Sequence, residues 1–267
     1  MPGWWNWQTH RLEGAAPERV CEFKSRSGHS SHSTKRARFP REQLFKGRRN
    51  SSSLFCSNPA PRMHLRQRSL SRRSFVLVKI SALYALRERV KARAIVLREL
   101  RSGKPSSRFF SELFIHLSLF LGYPAMLDGL ETVADASPQR RRRSLRAQES
   151  TAHKHGKQIL ERIYGQQAPK LLRHLDDLYP GLGHRITQDA YGRIMNRDGL
   201  TLPERELANV VVLYAHGFDR QLYSHLRGAL RVGVSKKTLK SVILLTADIV
   251  AKASKQTLDT IDKLSTE

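Results

Sequence analysis

Leu83, Tyr84, Ala85, Leu100, Arg101 and Gly103 return without a gap as Leu213, Tyr214, Ala215, Leu230, Arg231 and Gly233, an offset of 130 residues throughout. The apolar pattern around them returns as well. Self-similarity at one fixed distance implies a supersecondary unit that has been duplicated and packs against its copy. A period this long excludes a solenoid and predicts two related helical half-domains, the first over residues 73–136 and the second over 157–267.

The second half carries the clearer start and stop signals. Thr201-Leu202-Pro203-Glu204 has the Thr-x-x-Glu form of a capping box with Pro in the first turn, so a helix should start there. It carries Leu207, Val210, Val211 and Tyr214 on one face and stops at Gly217. Asp219 is the expected N-cap of a second helix that buries Leu222, Leu226, Ala229 and Leu230 and ends at Gly233. Ser235 caps a third helix, with Leu239, Val242, Ile243, Ile249 and Val250 inward. The same plan places helices near 74–86, 89–101 and 107–136 in the first half, the last kinked at Gly122-Tyr123-Pro124 because Pro lacks a backbone donor and clashes with the preceding turn. Residues 157–199 add one or two helices, with Leu160, Ile163, Leu171, Leu172 and Leu175 as core candidates. Period-two alternation does not compete anywhere, so the fold class is all-α.

The formal net charge of +25 would suggest a nucleic acid or an anionic surface as partner. However, residues 1–76 hold 16 Lys+Arg against 4 Asp+Glu, so about half the excess lies outside the repeated region. Residues 1–62 lack periodicity and are rich in Ser, Arg and His, as expected of a disordered basic tail. A sharper expectation comes from the codons. Trp4-Trp5-Asn6-Trp7-Gln8-Thr9 matches the translation of one frame of a leucine transfer-RNA gene, which points to a mis-called reading frame with Met63 as the better initiator. Ser137-Pro138-Gln139 and the run Arg140 to Arg143 mark a basic linker over 137–156, read as solvated. Ser71-Arg72-Arg73-Ser74-Phe75 resembles a twin-arginine export signal. Against that, Lys79 interrupts the apolar run behind it, and its Leu83-Tyr84-Ala85 belongs to the repeat. No apolar run reaches membrane-spanning length, Leu113 to Leu121 being broken by His116 and Ser118, so a soluble, cytoplasmic protein is expected. Cys21 and Cys56 are the only cysteines and both precede the repeats, which excludes thiolate metal sites and CxxC chemistry there.

Glu206 and His225 stand 19 residues apart on helices expected to run antiparallel, which could bring carboxylate and imidazole together as a general-base unit. The alternative is a structural histidine with a satisfied hydrogen bond. No second His or carboxylate lies at ligand spacing, so neither a metal nor a cofactor is expected.

Arg205-Glu206-Leu207, the run His225-Leu226-Arg227-Gly228-Ala229-Leu230-Arg231-Val232-Gly233-Val234-Ser235, Tyr191-Gly192-Arg193 and Gly122-Tyr123-Pro124-Ala125 together resemble the carboxymuconolactone decarboxylase family over residues 73–267. The resemblance implies a helical fold shared with the alkyl hydroperoxide reductase D proteins and homo-oligomers, trimeric or hexameric. In the family's peroxidase branch a Cys-x-x-Cys-x-x-x-His helix follows a relay Glu. His225 and Glu206 match, but Phe218 and Gln221 occupy the cysteine positions, so no thiolate is present to attack a peroxide. The cysteine-free branch implies cofactor-free decarboxylation or lactone processing of a small carboxylated substrate in aromatic catabolism. By that resemblance His225 and Glu206 are the proton-transfer pair, and Arg205, Arg220 and Arg227 are candidates to hold the anion. Val76 and Ile95 fall at the matching positions of the first half, which is therefore read as structural. The competing readings are a non-catalytic helical oligomer and, resting on the basic surplus alone, a nucleic-acid binder.

Overall fold

The computed structural model describes residues 70–137 and 151–265. The expectations for the tail, for Cys21 and Cys56, and for Arg140 to Arg143 lie outside them. Every regular element among the described residues is helical: α1 (Arg72–Ala85), α2 (Arg89–Arg101), α3 (Ser107–Ala136), α4 (Ala152–Tyr164), α5 (Ala168–Leu178), α6 (Leu182–Ile186), a π-helix (Thr187–Met195), α7 (Leu202–His216), α8 (Asp219–Arg231), α9 (Lys236–Val250) and α10 (Lys255–Lys263), with a 3₁₀ turn over Gly165–Gln167.

The helix bounds repeat at the same offset as the residues. α1 and α7 start 130 positions apart, and α2 and α8 match at both ends. The turns repeat too: Arg87 (φ 61°) and Gly217 (φ 75°) both adopt the left-handed conformation, as do Gly103 and Gly233. Glycine takes that conformation without strain, whereas Arg87 has a Cβ to accommodate. α1 and α7 pack on each other and both pack on α9. One core runs through both halves, from Val76, Leu77, Phe110 and Phe114 to Val210, Val211, Leu239 and Ile243.

The capping box at α7 forms: the Thr201 backbone N–H donates to Glu204 Oε2 at 2.8 Å and Thr201 Oγ1 accepts from the Glu204 N–H at 3.3 Å. Ser235 caps α9 by accepting from the Thr238 N–H. At α8, by contrast, Phe218 is the cap residue and Asp219 is already helical, with no side-chain capping bond. The break in α3 is sharpest at Gly122 (φ 75°, ψ 177°), two residues before Pro124. There the chain leaves the helical region before the proline ring would meet the preceding turn. By length and composition α3 is the one described helix apolar enough to cross a membrane. Its first half lies in the core, and beyond the break Tyr123 and Leu127 are exposed.

Between the halves the chain is more helical than expected, and a second, smaller core gathers Ile159, Leu160, Ile163, Tyr191, Met195 and Leu202. Leu171 and Leu172 are only partly buried at its edge, and Leu175 likewise, so α5 is not a core helix. α4 and the π-helix approach backbone to backbone. A Cβ on Gly156 would sit 2.0 Å from the Thr187 carbonyl oxygen, and one on Gly192 would sit 1.9 Å from that of Ala152.

Candidate active site

α7 is buried nearly all round, which takes three polar residues within about one turn, Arg205, Glu206 and Asn209, out of water together. The turn at Gly217 sends α8 back along α7, bringing His225 opposite Glu206. His225 Nδ1 lies 2.9 Å from Glu206 Oε2. A carboxylate only accepts, so Nδ1–H donates and Nε2 is left as the basic atom. Nε2 makes no hydrogen bond to a described residue, and the His225 side chain retains 11% exposure. Gly228, one turn further along α8, leaves room for this pair, since a Cβ there would meet Glu206 Oε2 at 2.9 Å and Ile163 Cγ2 at 2.6 Å.

Aromatic walls flank the imidazole. Phe120 of α3 and Tyr164 of α4 each stand edge-on to it, with ring centroids 6.4 Å away. The Tyr164 hydroxyl lies 2.9 Å from that of Tyr191 on the π-helix. Burial above all, and then the negative charge of Glu206 nearby, push the Tyr164 hydroxyl upward, so it stays protonated and available as a donor.

Behind Glu206 runs a polar string that sequence reasoning missed. Asn209 Nδ2 lies 3.1 Å from Glu206 Oε1, and Asn209 Oδ1 lies 2.8 Å from His116 Nε2. His116 Nδ1 meets Arg205 Nη1 at 3.4 Å. Arg205 in turn donates from Nη2 to the Arg197 carbonyl at 2.6 Å and lies 3.9 Å from Glu112, which Arg197 grips with two bonds of 2.7 and 2.8 Å. Glu112 and His116 are one turn apart on α3, in the half read as structural. Val76 and Ile95 do give that half no acid/base pair of its own, but α3 supplies the second half with buried polar groups. The spacing of Glu112 and His116, four residues apart in an apolar run, was the one local signal for them.

Of the three arginines expected to hold an anion, Arg205 is fully buried among Glu112, His116 and the Arg197 carbonyl. It lies one residue before Glu206, about 100° round the helix, and faces α3 instead of His225. Arg220 is exposed at the start of α8, and Arg227 stands two residues beyond His225, about 200° round that helix. No cluster of three or more metal-ligating side chains occurs among the described residues.

The sequence model of the "Carboxymuconolactone decarboxylase family" matches residues 181–258, which contain α7, α8 and the His225–Glu206 pair. The 4-carboxymuconolactone decarboxylase of Acinetobacter baylyi (strain ATCC 33305 / BD413 / ADP1) is 31% identical over 93 residues, covering 34% of this chain and 69% of that protein. Two proteins named Peroxisomal protein 2 are similar over longer stretches. That of Saccharomyces cerevisiae is 24% identical over 162 residues, 50% of this chain and 57% of that protein. That of Schizosaccharomyces pombe is 26% identical over 135 residues, 49% of this chain and 63% of that protein. The chain thus spans less than two thirds of either yeast protein.

Proposed function

Because the chain belongs to the carboxymuconolactone decarboxylase family, we propose that it is a cofactor-free carboxy-lyase or lactone-processing enzyme acting on a small carboxylated substrate, with His225 as the proton-transfer residue and Glu206 as its partner. The observation that carries this is the 2.9 Å contact of His225 Nδ1 with a fully buried carboxylate, which leaves Nε2 as the free ring nitrogen. In the reaction, the bond to the substrate carboxylate breaks, CO₂ departs, and the electron pair moves into the conjugated carbonyl as an enolate. His225, having taken a proton from solvent on Nε2, then delivers that proton to carbon and returns to the neutral Nδ1–H form. Glu206 supports the imidazolium by accepting from Nδ1–H throughout. Tyr164, whose hydroxyl lies 2.9 Å from that of Tyr191, would donate to the enolate oxygen.

The test is decarboxylation of γ-carboxymuconolactone by the purified chain. His225→Ala should lower kcat by about 10²- to 10⁴-fold and leave the helical circular dichroism unchanged. Equal turnover by the variant would remove the proton-transfer role. A second reading, a non-catalytic helical protein, draws on the near-enclosure of His225, 9% exposed, and on the yeast relatives, whose names carry no activity. Turnover by neither protein would favour it. We further propose a homo-oligomer, to which the end of α5 and its cap would offer Leu178 and Tyr179, both exposed. We place it in the cytoplasm; the names of the yeast relatives suggest the peroxisome instead, and imaging of the tagged chain separates the two.

A further inference from the structure

We propose that Asn209, oriented by His116, is the positioning residue that commits His225 to proton transfer through Nε2; this rests on the acid/base reading of the His225–Glu206 pair.

The argument starts at an acceptor whose identity is unambiguous. His116 Nε2 lies 3.2 Å from the carbonyl oxygen of Arg205, which can only accept, so the hydrogen of the neutral ring is on Nε2. Nδ1 is then bare, as its contact with Arg205 Nη1 at 3.4 Å requires. The orientation of an asparagine amide is normally open, but here it is fixed from both sides. The atom 2.8 Å from His116 Nε2–H must be the amide oxygen, and the atom 3.1 Å from the Glu206 carboxylate must be the amide nitrogen. Turning the amide over would set donor against donor at one end and acceptor against acceptor at the other. All of this is buried, with His116 0% and Asn209 1% exposed, so a wrong orientation would leave polar groups facing like partners away from bulk water.

Glu206 is also 0% exposed, and a buried carboxylate needs its lone pairs satisfied. Asn209 occupies Oε1, which leaves Oε2 for His225, and a bare Nδ1 facing Oε2 at 2.9 Å would be repelled. Asn209 Nδ2 also lies 3.3 Å from Nδ1, donor beside donor, so this pair makes no hydrogen bond, and Asn209 acts on the ring only through the Glu206 carboxylate that accepts from both. The polarity therefore runs from Arg205 through His116 and Asn209 to Glu206, where His225 donates from the other side. Burial, and then the adjacent Arg205 guanidinium, hold His116 down to about 3, so its donation does not reverse in the working pH range.

The experiment is histidine-labelled ¹⁵N NMR on the full-length chain, in which long-range couplings report which ring nitrogen carries the proton. In the unaltered protein near pH 8, His225 should show Nδ1–H with bare Nε2, and His116 Nε2–H. Asn209→Leu keeps the volume and removes both amide contacts. It should leave His225 as a mixture of tautomers and, where the lactone is turned over, lower kcat about tenfold or more with KM within about twofold. His116→Gln, which retains a donor toward Asn209, should keep the unaltered His225 signature. An unmixed Nδ1–H tautomer of His225 in Asn209→Leu would overturn the proposal. The spectra decide this whether or not any lactone is consumed, whereas His225→Ala turnover judges the enzyme reading itself.

Discussion

Gly192→Ala lowers the melting temperature by about 6 to 12 °C, a loss of about 3 kcal/mol for a domain of this size. At an exposed helical position the same change stabilises by about 1 kcal/mol, because alanine is the better helix former, so the expected sign is reversed. The reason is that the new methyl group would lie 1.9 Å from the Ala152 carbonyl oxygen. That atom belongs to backbone and cannot rotate aside, so α4 and the π-helix must separate. Separation would also disturb the proposed site, since the two elements carry Tyr164 and Tyr191, whose hydroxyls meet at 2.9 Å, and Tyr164 stands edge-on to His225. Scanning calorimetry reads the first effect. An unchanged or raised melting temperature would mean that the two backbones do not approach so closely in solution.

Folding stability should also fall on mild acidification, and His116 should be a principal cause. Its folded-state value is held down to about 3, by burial first and by Arg205 second, whereas in an unfolded chain histidine titrates near 6.5. Below that value the unfolded chain takes up a proton that the folded chain refuses. The stability from keeping His116 neutral is therefore complete above about pH 6.5 and is lost progressively as pH falls toward 3. At about 1.4 kcal/mol per pH unit, the loss between pH 6.5 and 5 is roughly 2 kcal/mol. His116→Gln has no such proton to refuse, so the difference between the two proteins in urea unfolding should shrink by that amount over the interval. Parallel pH profiles would show that His116 is protonated in the folded state or that water reaches it.

The parts of the fold governed by short-range chemistry were legible in the sequence. The Thr201–Glu204 box, the Ser235 cap and the turn at Gly217 each act over a few residues and left their marks within a few residues. The meeting of Glu206 and His225 could be anticipated because a single tight turn connects their helices. The π-helix could not, since one residue of extra winding leaves no period to read. His116 and Glu112 were hidden for a different reason. Their partners are 85 to 93 positions away in the chain, in α7 and just before it, and a histidine in an apolar run looks locally like an interruption. Arg205 belongs to that network because it and Glu206, though neighbours in sequence, face different ways on the helix. Adjacency along the chain says little about adjacency in a buried network.

The string from α3 through α7 to α8 has its ends in different halves of one polypeptide. Were the halves separate molecules, His116 would find Asn209 only at concentrations that sustain their association. Joined covalently, they meet at an effective concentration on the order of millimolar or more. The orientation of the His225–Glu206 pair is therefore insensitive to dilution, whatever number of copies assemble around it.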